Sequence, residues 1–314
     1  MAQRTGKARP NLFIVGAAKC GTTAWHRYLS THPDIFFPEL KEPNYFAFDL
    51  PKMRNFTSLD EYEKLFSRGS AAAYRGEASG IHLYSADAAR AIREYDPNAK
   101  ILIFLRGQEY FLPSYHHQLL YRFAESIEDF EAAWRLSGKR PADTIPKTCR
   151  DPALLDYRAR GDFRTQVERY LDAFPSDQVL VVDFDEWTAD PRAAYVRILD
   201  FLNLKDDGRT NFERINEAKA FRVKWIGKLI AHPPPIARAA VRVLRKLTGR
   251  SALGIAERAS GLLAAPGYST KISPELSEEI RNYYREDNLA LASRIGTWGG
   301  ARFPSAAVRT GIDA

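Results

Sequence analysis

Residues 12–29 read LFIVGAAKCGTTAWHRYL, and the rest of the chain is understood outward from them. The apolar run Leu12-Phe13-Ile14-Val15 predicts a short buried strand that stops at Gly16. An amphipathic segment starts near Gly21-Thr22-Thr23 and carries Trp25, Tyr28 and Leu29 forward as a helix. A strand, a glycine-bounded turn and a helix start in succession form an anion cradle, because unpaired backbone N–H groups and the positive end of the helix dipole point the same way. Gly16 and Gly21 have the spacing of the glycines in a Walker A loop, but Thr22 follows the second glycine and the lysine sits inside the turn, at Lys19. Such a loop can hold a phosphate-like group. It lacks the Lys-Ser/Thr pair that serves Mg²⁺ and a γ-phosphate.

The same alternation continues along the chain. Apolar strands are predicted at 35–37, 74–79, 100–105 and 179–184, and helices near 58–68, 85–95, 112–123, 126–136, 161–173, 190–203 and 274–294. This pattern predicts an α/β fold: a single P-loop-like domain over 11–300, with a central parallel sheet flanked by helices and ligands at the strand ends. Residues 1–10 and 301–314 read as tails. The polar, proline-bearing stretch 138–152 is long enough to be a functional loop. A C-terminal helical excursion over 222–268 is basic, with Lys224, Lys228, Arg238, Arg242, Arg245 and Lys246 set among aliphatic residues around Pro233-Pro234-Pro235. Packing on the core with a solvated basic face is one reading of 222–250. A surface for peripheral membrane contact or for an anionic acceptor is the other, which makes the excursion an acceptor-side element.

A net charge of +7 over 314 residues suits acidic substrates. Two cysteines, Cys20 and Cys149, do not make a disulfide framework. Cys20 lies beside the cradle, where a thiolate could be stabilised, but it reads as loop packing. The basic N-terminus has no apolar core of a secretory signal, and no window reaches the roughly 18 apolar residues of a membrane span, so a cytoplasmic protein is expected.

Three segments in order resemble the sulfotransferases that use 3′-phosphoadenosine-5′-phosphosulfate (PAPS), in particular bacterial proteins related to the sulfotransferase domains of heparan sulfate biosynthesis. Gly16-Ala17-Ala18-Lys19-Cys20-Gly21-Thr22-Thr23 is similar to the family's 5′-phosphosulfate loop. Leu105-Arg106, with Ser114 eight residues beyond the arginine, is similar to its 3′-phosphate site. A weaker set follows: Val179 to Phe184 with Glu186, Asp190-Pro191 and Phe201-Leu202, and Thr297-Trp298 after the last helix. The resemblance implies that Ala18, Lys19, Cys20, Gly21, Thr22, Thr23, Arg106 and Ser114 bind PAPS, without a metal. Lys19 would stabilise charge on the departing bridging oxygen. Two departures stand out. Relatives place Asp-Pro after the strand-end arginine, where this chain has Gly107-Gln108, and a lysine after the glutamate of the strand following the first crossover, where Glu77 precedes Ala78.

The acceptor, a hydroxyl or amine of a carbohydrate or small molecule, must lose a proton as it attacks sulfur. Glu42 is the leading base, because Lys41-Glu42-Pro43-Asn44-Tyr45-Phe46 resembles the segment that carries the catalytic glutamate in glycan-type relatives. Pro43 biases Glu42 away from helix, and the role calls for burial that lifts a glutamate above its reference pKa of about 4.3. His117 is the competing base, with His116 and His82 behind it. A P-loop nucleotide or small-molecule kinase and a non-catalytic polyanion-binding module are the alternative functions. No nucleic-acid partner is expected, and the acceptor itself stays open.

Overall fold

The computed structural model describes residues 8–213, 219–221, 264–266, 271–298 and 301–302. The chain divides into two compact units, one of Met1–Phe111, Arg160–Glu213 and Pro274–Ala314, the other of Leu112–Ala159 and Arg214–Ser273.

The first unit is built on five parallel strands in the order β2-β3-β1-β4-β5. They are β1 (Leu12–Gly16), β2 (Ile35–Phe36), β3 (Tyr74–Ala78), β4 (Lys100–Leu105) and β5 (Val179–Asp183). Leu12, Phe13, Ile14 and Val15 are wholly buried, as are Ile101 to Leu105, which suits central strands covered on both faces. β1 lies beside β4, and the chain leaves β1 toward the β2 edge of the sheet but leaves β4 toward β5 on the other side. The carboxyl end of β1 is therefore a topological switch point, where a parallel sheet opens a crevice for ligands. The helices of this unit include α1 (Thr22–Leu29), α2 (Leu59–Glu63) and α3 (Ala88–Tyr95). Here the α/β fold expected from the sequence is found.

β4 leads through Arg106 and Gly107 into α4 (Gln108–Tyr121), which starts four residues before the predicted position. Pro113 pushed the expected boundary forward. In the structure it sits inside the helix, where its ring costs one backbone hydrogen bond that flanking turns outweigh. The helix predicted over 274–294 is two, with Tyr284, 1% exposed, at the break. After α5 (Phe130–Arg135), α6 (Tyr157–Gly161), α7 (Phe163–Ala173), α8 (Phe184–Ala189) and α9 (Pro191–Phe201), these are α10 (Pro274–Tyr283) and α11 (Arg285–Ile295). α11 packs against α7, with Arg294 2.9 Å from Asp172 and Arg164 3.2 Å from Asp287. The sequence period did not reveal the one-turn helix α8. Its start is nonetheless well marked: the Asp183 carboxylate accepts from the Asp185 and Glu186 N–H groups.

The second unit is organised around a buried ion pair. Arg140 lies 2.6 Å from Glu125, and the same carboxylate accepts from the Ser126 and Ile127 N–H groups and the Tyr157 hydroxyl. Burial by itself would raise the Glu125 pKa, but Arg140, the Ile127 N–H and Tyr157 outweigh it and hold the carboxyl below its ordinary range. The 138–152 loop is thereby tied down through Arg140, with one-turn helices at Ala142–Thr144 and Pro152–Leu155. Strands β6 (Lys219–Phe221) and β7 (Ala264–Pro266) pair antiparallel in this unit. The rest of the 222–268 excursion lies outside the described residues. Strands β8 (Thr297–Trp298) and β9 (Ala301–Arg302) form a separate antiparallel pair.

Candidate active site

The loop after β1 is held open from both sides. The Ala17 N–H donates to the Phe104 carbonyl at 2.7 Å, which ties the loop to β4. The Leu83 N–H donates to Val15 and the Ser79 N–H to Ile14, which tie it to the chain beyond β3. Lys19 has φ +66° and Gly21 φ +89°, both in the left-handed region that ordinary side chains avoid. Gly21 is required twice over, since a Cβ there would also lie 2.3 Å from the Trp187 ring. No side chain caps the start of α1 and no acidic residue sits in its first turn. The N–H groups of Thr22 and Thr23 thus face a position suited to an external anion.

Arg106, Lys19 and Arg160 lie close enough to act on the buried thiol of this loop. Cys20 is wholly buried, and burial pushes its thiol up; Arg106, Lys19 and Arg160 all act on it in the opposite sense. That environment makes Cys20 a packing residue rather than a thiolate. Arg106 follows β4 at the level where Leu105 pairs with Asp183, which brings its guanidinium over Phe184, 4.5 Å from the ring centroid. Its Nε is buried without a hydrogen-bond partner, and among the described residues no carboxylate pairs with it. Phe184 packs on Trp187, and Trp187 on Trp25, which stacks on Phe104. This aromatic run links Arg106 to Gly21, and the Nε1 groups of Trp187 and Trp25 are further buried donors without a partner. Burial raises the pKa of Asp183, against the Glu186 and Asp185 N–H groups that lower it.

The departure at Gly107-Gln108 has a structural answer. Gln108, 2% exposed, exchanges reciprocal hydrogen bonds with Asn288 at 2.8 and 3.0 Å and donates to the Gly161 carbonyl. The turn that carries Arg106 is thereby fixed to α11 and to the end of α6.

Glu42 is presented by a loop whose backbone is bound at several points. Its N–H donates to Ala78 at 3.0 Å, its carbonyl accepts from Asn55 at 2.7 Å, and Glu42 and Asn44 both have positive φ, 58° and 55°. Lys41 donates to the Thr23 hydroxyl, so this loop and the cradle are joined directly. His26, one turn further along α1, is pushed down to about 4 by burial and by the nearby Lys41 charge.

The structure places Ala18, Lys19, Cys20, Gly21, Thr22, Thr23, Arg106 and Glu42 in the first unit. Ser114 and His117 stand on the part of α4 that belongs to the second. His116 is buried there, with Nε2 2.8 Å from the Ile127 carbonyl, and burial lowers its pKa. His82 is wholly buried in the first unit. Neither buried ring is exposed to meet an acceptor. Sequence reading missed Arg160, Trp187 and the role of Lys41. Arg160, 3% exposed and 4.2 Å over the Tyr84 ring, gave no local signal, whereas Phe184 and Trp187 stand three apart just past a strand end. Among the described residues no cluster of three or more His, Cys, Asp or Glu is arranged to hold a metal, and no helix is long and apolar enough to cross a membrane.

A parallel α/β sheet with an uncapped glycine-bounded loop and unanswered arginine charge at its switch point defines an anion-binding nucleotide fold. Residues 9–224 match the model of the sulfotransferase domain family, and the chain belongs to that family, whose enzymes use PAPS. It is 25% identical over 258 residues to human heparan sulfate glucosamine 3-O-sulfotransferase 6, covering 78% of this chain and 71% of that protein. It is also 25% identical over 207 residues to human bifunctional heparan sulfate N-deacetylase/N-sulfotransferase 3, covering 64% of this chain but 23% of that longer protein. A crystal structure of a sulfotransferase from Alicyclobacillus acidocaldarius superposes with a TM-score of 0.65 at 28% identity, covering 92% of this chain and 96% of that one.

Proposed function

We propose that this sulfotransferase moves a sulfuryl group from PAPS to a hydroxyl or amine of a carbohydrate or related small molecule. The observation that carries this reading is the Arg106 charge, which no described carboxylate answers, linked by Phe184 and Trp187 to a loop that leaves helix-start N–H groups uncapped. Two separated anion sites fit a donor that bears a phosphosulfate and a distinct 3′-phosphate. The donor supplies an activated sulfuryl group on a phosphate leaving group.

The chain's own part is positioning and charge. The backbone of Lys19–Thr23 and the Thr22 and Thr23 hydroxyls hold the 5′ end, and the Lys19 ammonium stabilises negative charge as it grows on the bridging oxygen. Arg106 grips the 3′-phosphate with a planar fork. Glu42 takes the acceptor proton: its loop is bonded to the cradle through Lys41 and Thr23, whereas His82 and His116 are buried. His117 is the remaining histidine to test. Relatives that act on glucosamine of heparan sulfate support a glycan acceptor.

Calorimetry with adenosine 3′,5′-bisphosphate (PAP) and with ATP–Mg²⁺ tests the donor. Binding of PAP and indifference to ATP–Mg²⁺ is expected, and the reverse result overturns the reading. Glu42→Gln is expected to lower transfer from labelled PAPS across an acceptor panel at least ~100-fold, with PAP affinity unchanged. Full transfer in that variant would move the role to His117.

A further inference from the structure

Beneath the Glu42 loop lies a buried polar cluster that the chemistry above does not use. Glu77, Ser79 and His82 are 1%, 0% and 0% exposed. The Asn44 N–H donates to the Ser79 hydroxyl oxygen at 2.9 Å, and that hydroxyl donates to Glu77 Oε1. The Phe46 N–H donates to His82 Nε2 at 3.3 Å. His82 Nδ1 and Glu77 Oε2 are 3.2 Å apart, off the line of an ideal hydrogen bond, and neither has another partner.

These contacts set the tautomer of His82. Nε2 faces an amide N–H, so it must present its lone pair, and the ring proton sits on Nδ1 facing the carboxylate. The donors are the Asn44 and Phe46 amides, the Ser79 hydroxyl and His82 Nδ1–H; the acceptors are Ser79 Oγ, both Glu77 oxygens and His82 Nε2. Three of these pairs are hydrogen bonds, and the fourth, His82 Nδ1 to Glu77 Oε2, is a close approach at 3.2 Å. The two amides belong to the second and fourth residues after Glu42, in a loop with positive φ at Glu42 and Asn44. Outside the cluster, the Tyr170 hydroxyl fixes the His82 carbonyl at 2.9 Å.

We propose that Glu77, Ser79 and His82 are positioning residues that lock the left-handed Glu42–Phe46 turn onto the end of β3, and so hold the Glu42 carboxylate at the cradle. The functional half of this proposal rests on Glu42 being the base; the lock itself does not. Glu77→Gln is nearly isosteric but removes an acceptor and adds donors, so one donor must be left without a partner whichever way the amide turns.

In the 314-residue chain, ¹⁵N spectra of the imidazoles should show His82 as the Nδ1–H tautomer. In Glu77→Gln, hydrogen exchange at the Asn44 and Phe46 amides should quicken about 10- to 100-fold, while β1 amides keep their protection and PAP affinity stays within about twofold. Should Glu77→Gln fold poorly, Ser79→Ala opens the Asn44 arm alone and should release that amide selectively. A His82 ring with its proton on Nε2, or unchanged protection of both amides in a folded variant, would overturn the lock. Loss of β1 protection together with PAP binding would also overturn it, by reducing the cluster to general core stability. Failure of the base reading looks different: Glu42→Gln would keep its transfer activity and its loop protection, with the exchange pattern of Glu77→Gln unaffected.

Discussion

Arg106 and Arg140 are two enclosed arginines with opposite settings. Arg140, in the second unit, has a carboxylate that is itself wholly buried and holds two backbone amides and a tyrosine hydroxyl as well. Arg106, in the first, has aromatic rings beneath its guanidinium and no described carboxylate. Arg106 is half-buried, and its enclosed Nε is a donor that a ligand can satisfy. The contrast separates a structural clasp from the proposed donor site without reference to any relative.

Breaking the clasp should have the larger effect. Arg140→Met leaves a buried carboxylate short of its counter-ion and is expected to cost about 3 kcal/mol in denaturant unfolding, with PAP affinity per folded molecule unchanged. A loss of PAP binding there would blur the distinction. Arg106→Gln should do the converse. Its loss is expected to weaken PAP by about 2 kcal/mol, roughly 30-fold, with little change in stability. Adenosine 5′-phosphosulfate, which lacks the 3′-phosphate, sharpens the comparison, because its affinity should barely respond; equal losses for both ligands would place Arg106 elsewhere on the donor.

The smallest effect concerns His26, whose ring gives up solvation beside Lys41 without gaining a partner for Nε2. Its pKa falls from 6.5 unfolded to about 4 folded, so between those values the unfolded chain takes up a proton that the native state refuses. Stability from this group is whole above pH 6.5 and is lost as pH falls toward 4, by about 1 kcal/mol between pH 7 and 5.5. Unfolding curves of His26→Gln should lose that slope; an identical pH dependence in both proteins would show that the ring is not the source.

Much of the first unit was legible because its signals are local. A run of aliphatic residues, two glycines five apart and a lysine between them lie within one short stretch, and backbone sterics translate them directly into strand, turn and helix. The Arg106 site was legible for the same reason, as a residue at a strand end. The helix boundaries at Pro113 and Tyr284 were not, because packing overrode the local preference of each. Arg160, Trp187 and the contact of Lys41 with Thr23 join residues far apart in sequence, and no spacing rule reaches them. The Gln108–Asn288 pair spans 180 residues and explains a turn that looked only like a departure.

The amino-acid order alone settled the α/β alternation, the strand–turn–helix after Val15 and the arginine at the end of Ile101–Leu105, since each depends on neighbours a few bonds away. Only the folded chain decided which charges have a carboxylate partner and which do not. It also decided that His82 supports the Glu42 turn from below, because burial and hydrogen-bond partnership are properties of residues that meet through space.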